Sequence, residues 1–253
     1  MPQIFLFSPT ASWAQPSDWN PANNTIEIIG TGGSSPYGVV ASQVGGSAGG
    51  AYAVAHNVAP TFPVPLTWTG AATTFGSVCS AANGANGAVG ASAGNGNQSA
   101  YTFPSGYIGG AGGPILSQDP SNWGYPAAVY VSGGGGAAGP SGNGGNGSQT
   151  GSYAIGGTAD GGIVAPSPIS AMNQGGRGPN NIIWGGTYGC GAGQTPSNAN
   201  YGDGDGGAGY YGGGGCAISA SANTGLHSVP GPGIIVVTYT PPPPPGGQGQ
   251  IVS

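Results

Sequence analysis

The sequence is poor in charged side chains. It has no lysine, a single arginine at Arg177, and six acidic residues among its 253 residues. Proteins that bind a nucleic-acid backbone gain affinity from Lys and Arg side chains that displace counterions, and attachment to an anionic membrane surface depends on the same cations. We therefore expect neither a nucleic-acid partner nor an electrostatic attachment to membranes.

Long apolar runs are also missing. No run approaches the roughly 18–20 apolar residues that cross a bilayer, so we expect no membrane insertion. The first residues, MPQIFLFSPT, contain an apolar patch at Ile4–Phe7 but no basic residue before it. A secretory signal needs a basic start and a longer apolar stretch, and we expect no secretion signal here.

Residues that build an ordinary core or helix are scarce. Leu, Ile, Val and Phe together supply 39 residues, fewer than the roughly one fifth of a chain that a conventional core requires. No segment of ten residues shows the 3.6-residue apolar period of an amphipathic helix. Disordered chains share this scarcity but combine it with high charge, whereas this chain has few charges and 22 aromatic residues. We expect a folded chain with essentially no α-helix.

Glycine is abundant, with 58 residues, and it recurs with a period of three. In the stretch 133–147, GGGGAAGPSGNGGNG, glycine occupies positions 133, 136, 139, 142 and 145. A period of three belongs to the extended left-handed helix with three residues per turn, which has no internal hydrogen bonds. Its N–H and C=O groups must therefore bond to neighbouring segments. The spacing predicts polyglycine II helices, here called rods, near 84–96, 133–147 and 202–215.

Four segments have the β-branched and aromatic composition of strands. They lie near 25–29 (TIEII), 51–59 (AYAVAHNVA), 64–69 (VPLTWT) and 234–239 (IIVVTY). We predict a mostly irregular and β fold, in which these strands form one small antiparallel sheet that anchors a bundle of polyglycine II helices. Residues 1–240 would form this single glycine-rich domain, and residues 241–253 would form a proline-rich rod with a flexible tail.

Short catalytic patterns carry little weight in a chain so rich in glycine. Gly45–Gly49 fits G-x-S-x-G, with His56 and His227 as nominal partners. A nucleophile elbow needs a strand before it and a helix after it, and no helix is predicted. The G-x-G-x-x-G matches at 142–147 and 204–209 also open no helix that could bind a phosphate. We expect no enzymatic activity, and no cofactor other than the calcium ion considered next.

A pair of aspartates is the candidate metal site. Asp203 and Asp205 lie two residues apart in YGDGDGG. Two carboxylates at this spacing can converge on a calcium ion, although the later glutamate of a full calcium loop is missing. The alternative is a solvated turn, in which Asp is a preferred residue.

The three cysteines are Cys79, Cys190 and Cys216. Cys190 and Cys216 lie in the glycine-rich segments GCG and GGGGC, where two adjacent rods could bring them face to face. A Cys190–Cys216 disulfide is one alternative, and three free buried thiols are the other.

Aromatic residues cluster in or beside the predicted loops. Exposed Tyr and Trp give a large contact area at a small cost in side-chain entropy, and they suit recognition of sugars or proteins in a chain with few charges. The candidate receptor contacts are Trp123, Tyr125, Tyr101, Tyr107 and Tyr188. The alternative is that these rings cover the rods as a substitute core.

The two ends of the glycine-rich region carry a pair of motifs. The opening contains Trp13, PSDWN at 16–20 and NTIEIIGTGG at 24–33, and the close is PGPGIIVVTY at 230–239. This arrangement resembles glycine-rich domains of bacteriophage tail-fibre and tail-tip proteins, over nearly the whole of residues 13–240. The resemblance implies an opening strand, a series of glycine blocks and a closing strand. In some members the blocks form a sandwich of polyglycine II helices, and loops at the tip bind the host receptor.

The resemblance implies a structural protein on the external surface of a phage virion, first of all a fibre or adhesin component that contributes to receptor binding. Its implied partners are other virion proteins, further copies of the chain, and a host polysaccharide or outer-membrane protein. A capsid decoration or head-fibre subunit with a purely structural role is one alternative. An ice-binding glycine-rich protein is an alternative of another class, although the long regular repeats expected of it are interrupted here.

Overall fold

The structure is a computed structural model that describes residues 1–34, 46–87, 105–111, 116–118, 129–150, 153–162, 211–214, 217–219 and 230–244. These residues contain β-strands and one short 3₁₀ turn at Asp160–Gly162, but no α-helix. The mostly β and irregular fold class predicted from the sequence is therefore confirmed.

A five-stranded antiparallel sheet joins the two ends of the glycine-rich region. Its strands, in spatial order, are β1 (Gln3–Leu6), β14 (Ile234–Tyr239), β3 (Asn24–Ile29), β4 (Tyr52–His56) and β8 (Ser105–Tyr107). β3 and β14 pair along their whole lengths, from Ile29 opposite Ile234 to Asn24 opposite Tyr239. Both strands are rich in β-branched residues, which suit a pleated and buried surface.

A second antiparallel sheet forms the opposite layer. It contains, in spatial order, β2 (Ser12–Trp13), β5 (Val64–Thr67), β6 (Ala72–Phe75) and β7 (Cys79–Ala82). The prediction that the strand near 64–69 joins the first sheet is therefore wrong. The chain leaves β4 through Asn57, which has a left-handed φ of 53°, and it crosses to the second layer before β5 begins. There Val64 and Leu66 face the core.

Five further strands belong to smaller units. β9 (Leu116–Gln118), β10 (Val129–Ser132) and β13 (Ala217–Ser219) form a three-stranded antiparallel sheet with β10 in the middle. β11 (Ser148–Thr150) and β12 (Tyr153–Ile155) form an antiparallel pair. β10 continues into residues 133–138, and residues 143–147 continue into β11, so these strands also border glycine segments.

The two larger sheets pack face to face around the main hydrophobic core. Ile26 and Ile28 of β3 are fully buried in it. The ring centroid of Trp13 lies 5.3 Å from that of Trp19 and 5.5 Å from that of Phe75. Burial of each large apolar side chain contributes about 1.5–3 kcal/mol. A compact aromatic and aliphatic cluster therefore stabilises the sandwich even though apolar residues are scarce in the chain.

The glycine segments continue the strands of the sandwich. β3 runs into residues 30–34, β7 into 83–87 and β8 into 108–111, whereas 46–51 runs into β4 and 230–233 into β14. Further rods are formed by residues 133–138, 143–147, 156–159 and 212–214. Because the strands fix where five of the rods begin or end, the sandwich determines the spacing of the bundle.

Hydrogen bonding within the bundle has a period of three residues. In the rod 46–51, successive backbone N–H groups donate to carbonyl groups as follows: Ala48 to Ala85, Gly49 to Gly110, Gly50 to Gly212 and Ala51 to Ala82. The first three donors therefore point to three different neighbours, and the fourth returns to the neighbour of the first. This is the pattern of a helix with three residues per turn. The bundle is of the polyglycine II type that the glycine period predicted.

The stretch 133–147 is two rods rather than the one predicted. Residues 133–138 and 143–147 are joined by a tight turn, in which Gly139 and Gly142 exchange backbone hydrogen bonds of 3.1 and 3.2 Å. Pro140 lies in this turn. Since proline has no N–H to donate, the three-residue bonding period is interrupted there and the chain reverses.

Other predicted segments are only partly described. The structure describes residues 84–87 of the rod predicted near 84–96 and residues 211–214 of the rod predicted near 202–215. Residues 241–244 of the proline-rich segment have no strand or helix, and the last three of them are exposed. The remainder of all three segments lies outside the described residues.

Candidate functional site

A groove lies on the face of the five-stranded sheet opposite the main core. Its volume is about 400 Å³, within the roughly 300–1,000 Å³ range of small-molecule sites. Strands β3, β4 and β8 form its floor, and Pro140 of the turn between two rods borders it. The polar and aromatic residues that line it are Thr25, Glu27, Tyr52, His56, Ser105 and Tyr107.

Strand alternation and register bring these side chains together. Successive side chains of a strand point to opposite faces, so Thr25 and Glu27 of β3 point away from the isoleucines that fill the core. The register places Thr25 opposite His56 and Tyr52 opposite Tyr107. Residues that are far apart in the sequence therefore share one face of the sheet.

Two tyrosine rings are stacked along the groove. The ring centroids of Tyr52 and Tyr107 are 6.2 Å apart, with 22° between the ring planes. Tyr52 is 3% exposed and Tyr107 is 39% exposed. The Tyr52 hydroxyl donates a 2.7 Å hydrogen bond to Oε1 of Glu27. The inner ring is thus held in position by the carboxylate, and the outer ring is open to solvent.

Glu27 and His56 supply the carboxyl and imidazole groups of the groove. Burial raises the pKa of Glu27 above its ordinary value of 4.5, while the hydrogen bond from Tyr52 and the neighbouring His56 act in the opposite direction. Nδ1 of His56 lies 3.0 Å from the hydroxyl oxygen of Thr25 at the exposed end. Carboxylate, imidazole and hydroxyl groups together offer both donors and acceptors of hydrogen bonds.

The turn that carries Pro140 is fixed by Asp160, whose side chain is fully buried. Oδ1 of Asp160 accepts a 2.7 Å hydrogen bond from the backbone N–H of Ser141, and Oδ2 accepts a 3.2 Å hydrogen bond from the Ser141 hydroxyl. These bonds hold the turn beside the groove. Sequence reasoning missed Asp160. The sequence signal for it was the turn GPSG at 139–142, because the N–H and hydroxyl groups of Ser141 need an acceptor from another segment.

Groups that could take part in catalysis lie in two different places. Glu27 is the only carboxylate among the described residues of the groove lining. Ser47 of the G-x-S-x-G pattern is buried, and its hydroxyl donates a 2.6 Å hydrogen bond to the Gly33 carbonyl inside the bundle. In the part of the chain that the structure describes, no group of three or more His, Cys, Asp or Glu residues could hold a metal ion.

One predicted receptor contact, Tyr107, lies in the groove. The other four predicted receptor contacts, Trp123, Tyr125, Tyr101 and Tyr188, lie outside the described residues. The calcium candidates Asp203 and Asp205 and the disulfide candidates Cys190 and Cys216 also lie outside them. Cys79 is a free, buried thiol. Glu27, Tyr52 and His56 were missed as site residues because only the strand register brings them together. The alternation of Glu27 between two isoleucines was the available local signal.

Comparisons with known proteins leave this site to be interpreted from its own geometry. No protein-family model, curated protein or solved structure matches the chain. Among the described residues, no helix is long and apolar enough to cross a bilayer. The function must therefore be inferred from the rod bundle, the groove and the motifs at the two ends of the glycine-rich region.

Proposed function

We propose that this protein is an external fibre or adhesin component of a bacteriophage virion and contributes to binding of the host receptor. The observation that carries the proposal is the polyglycine II bundle joined to a β-sandwich, with β3 leading into the first rod and β14 following the last. This architecture agrees with the resemblance to phage tail-fibre and tail-tip domains. The proposed role is recognition without a catalytic step.

The bonding of the central rod supports a rigid scaffold. The rod 46–51 forms backbone hydrogen bonds with five other rods. It donates to 83–87, 108–111 and 212–214 and accepts from 30–34 and 133–138. Segments fixed by many buried hydrogen bonds open rarely, and they resist proteolysis as a result. The sequence also offers trypsin a single cleavage residue, Arg177. Both properties suit a part that stands on the outside of a particle.

The domain has a sandwich end, where Pro241 leaves, and a rod end. β14 runs from the rod 230–233 towards Pro241, and Gln3 of β1 pairs with Thr238 near the same end. The N–H of Thr240 donates a 3.0 Å hydrogen bond to the carbonyl of Asn23, so Pro241 leaves the sandwich at the end away from the rods. In the proposal, this end attaches to other virion proteins, and the rods and the open face of the five-stranded sheet stay accessible to the host.

Localisation on purified particles tests the proposal. Mass spectrometry should detect the protein in particles, and immunogold labelling should place it on the tail fibre or tail tip. The purified protein should also compete with particles for adsorption to host cells. Labelling of the capsid surface would instead favour a decoration or head-fibre subunit, and absence from particles would contradict a virion role altogether.

A further inference from the structure

We propose that the groove on β3, β4 and β8 binds a neutral saccharide built from hexose units. This inference rests on the proposed recognition function and names the ligand class of one of its sites. It is carried by the stacked rings of Tyr52 and Tyr107 beside the carboxylate of Glu27, in an open groove of about 400 Å³. A flat aromatic surface next to a few polar groups is the combination that a sugar ring requires.

Tyr107 supplies the apolar surface. Its side chain is 39% exposed, so part of the ring is open to a ligand while another part lies against Tyr52. Tyr52 is itself held by its hydrogen bond to Glu27, which restricts the movement of the pair. A preorganised ring gives contact area with little loss of side-chain entropy on binding. The C–H face of a hexose can pack on such a ring.

Hydrogen-bonding groups lie around the rings. Glu27 accepts hydrogen bonds, and the pair formed by Thr25 and His56 can both donate and accept. The Ser105 hydroxyl donates a 3.3 Å hydrogen bond to the carbonyl of Val54 and keeps its own lone pairs as acceptors. The hydroxyls of a hexose are donors and acceptors that radiate from the edge of the ring. Polar groups at fixed positions beside an apolar surface orient such a ligand.

The charge of the groove favours a neutral sugar over an acidic one. Glu27 is the only acidic side chain among the described residues of the lining, and none of those residues is a lysine or an arginine. The chain as a whole has a formal net charge of −5 at pH 7. An acidic sugar would bring a second negative charge close to Glu27 without a permanent cation to compensate it.

Binding measurements on the full chain test this inference. Isothermal titration calorimetry and saturation-transfer NMR would use maltohexaose, cellohexaose and mannohexaose as probes, with hexagalacturonate as the anionic counterpart. We expect at least one neutral hexasaccharide to bind, and to bind at least about tenfold more tightly than hexagalacturonate. Failure of all three neutral sugars to bind, or equally tight binding of hexagalacturonate, would overturn the inference.

Two variants locate the binding in the groove. Tyr107→Ala removes the exposed ring, and we expect it to lower the affinity at least about tenfold. Glu27→Gln keeps the size of the side chain but removes its charge, and we expect a loss of about tenfold at pH 7. Unchanged affinity in Tyr107→Ala would overturn the assignment of the site.

A matched control lies at the residue that follows β1. Phe7 stacks on Tyr211 outside the groove, with ring centroids 6.1 Å apart and 23° between the ring planes, and Phe7 is 42% exposed. Phe7→Ala therefore removes a similar exposed ring, and it should leave sugar affinity within about twofold. Circular dichroism and thermal unfolding of each variant establish that the fold is retained, and equal losses in Phe7→Ala and Tyr107→Ala would overturn the site.

Different experimental results would overturn the virion role and the saccharide site. Sugar binding by the purified chain, together with its absence from particles, would overturn the virion role and leave the saccharide site standing. Presence on the tail, together with no binding of any neutral hexasaccharide, would overturn the saccharide site and leave the virion role standing.

Discussion

The side-chain oxygen of Asn83 accepts a 2.9 Å hydrogen bond from the backbone N–H of Thr31. The next residue, Gly84, donates its N–H to the carbonyl of Thr31 at 2.8 Å. One Asn-Gly pair thus satisfies both backbone groups of a residue in the neighbouring rod. The arrangement recurs where Asn86-Gly87 binds Ser34, Asn143-Gly144 binds Ile108, and Asn146-Gly147 binds Ala111. Asn83 and Asn86 are three residues apart, and so are Asn143 and Asn146. Three residues make one turn of a rod.

Replacing Asn83 by Ala tests how much one such contact stabilises the fold. Oδ1 of Asn83 also accepts a 2.9 Å hydrogen bond from the hydroxyl of the buried Thr73. Asn83→Ala takes this acceptor away from both Thr31 and Thr73. We expect the free energy of unfolding, measured in denaturant, to fall by about 1–3 kcal/mol. Asn143→Ala should cost less, about 0.5–1.5 kcal/mol, because water can reach its bond to Ile108.

Asn23→Ala is the control for these two variants. Asn23 is an exposed residue of the sandwich and lies outside the rods. Surface substitutions of this kind change stability by within about 0.5 kcal/mol. A loss in Asn23→Ala as large as that in Asn83→Ala would contradict a special role for the Asn-Gly pairs.

Gly136 lies where its rod contacts two neighbouring rods. Its N–H donates a 2.9 Å hydrogen bond to the carbonyl of Gly145, and a Cβ at this position would overlap the carbonyl oxygen of Thr158. We expect Gly136→Ala to lower the free energy of unfolding by about 3 kcal/mol or more, because the rods must separate to admit the methyl group. Ala137→Gly, at the next position, removes one buried methyl group and should cost about 1 kcal/mol. Similar melting temperatures for the two variants would speak against close rod packing.

The carboxyl group of Glu27 makes stability depend on pH. Burial raises the pKa of Glu27 in the folded protein above 4.5, so the folded protein holds this proton more tightly than the unfolded chain does. The contribution of the Glu27 proton to the free energy of unfolding is fully present below pH 4.5, and it is lost as the pH rises through the raised pKa. We expect the free energy of unfolding, taken relative to that of Glu27→Gln, to fall over this interval. A flat or rising difference would exclude this interpretation.

Cys79 should be inert while the protein is folded. Its side chain is 1% exposed, and burial raises the pKa of its thiol to about 12, whereas the thiolate is the reactive form. Iodoacetamide at pH 8 should leave Cys79 unmodified in the native protein and modify it after denaturation, as located by mass spectrometry of peptides. Rapid modification of the native protein would show that this part of the sandwich opens. A non-reducing digest in the same experiment tests the Cys190–Cys216 disulfide.

The strands at the two ends of the glycine-rich region, and the rods between them, could be predicted because their signals are local. The runs TIEII and IIVVTY are rich in β-branched residues, and the glycine period of three is visible in the sequence alone. β6, β7 and β8 could not be predicted in this way. Their sequences ATTF, CSAA and SGY are short and contain small residues, so pairing with neighbouring strands, rather than local propensity, makes them strands.

The break in the stretch 133–147 and the groove depend on tertiary structure. Glycine-rich sequence lies on both sides of Pro140 and Ser141, so no pattern of buried and exposed side chains marks where one rod ends and the next begins. The groove exists because the register of β4 and β8 places Tyr52 opposite Tyr107. A shift of one residue would turn one of these rings to the other face of the sheet. Composition does not determine a register between strands that are distant in the sequence.

Hydrogen exchange of the rod amides tests the polyglycine II bundle most directly. Gly110, Gly136 and Gly145 donate backbone hydrogen bonds of 2.9, 2.9 and 2.7 Å to neighbouring rods. Glycine has no side chain to shield its amide, so protection must come from these bonds and from the surrounding rods. We expect the three amides to exchange as slowly as those of β3 and β14, through opening of the whole domain. Exchange at the rate of an unstructured chain, while β3 and β14 stay protected, would contradict the bundle.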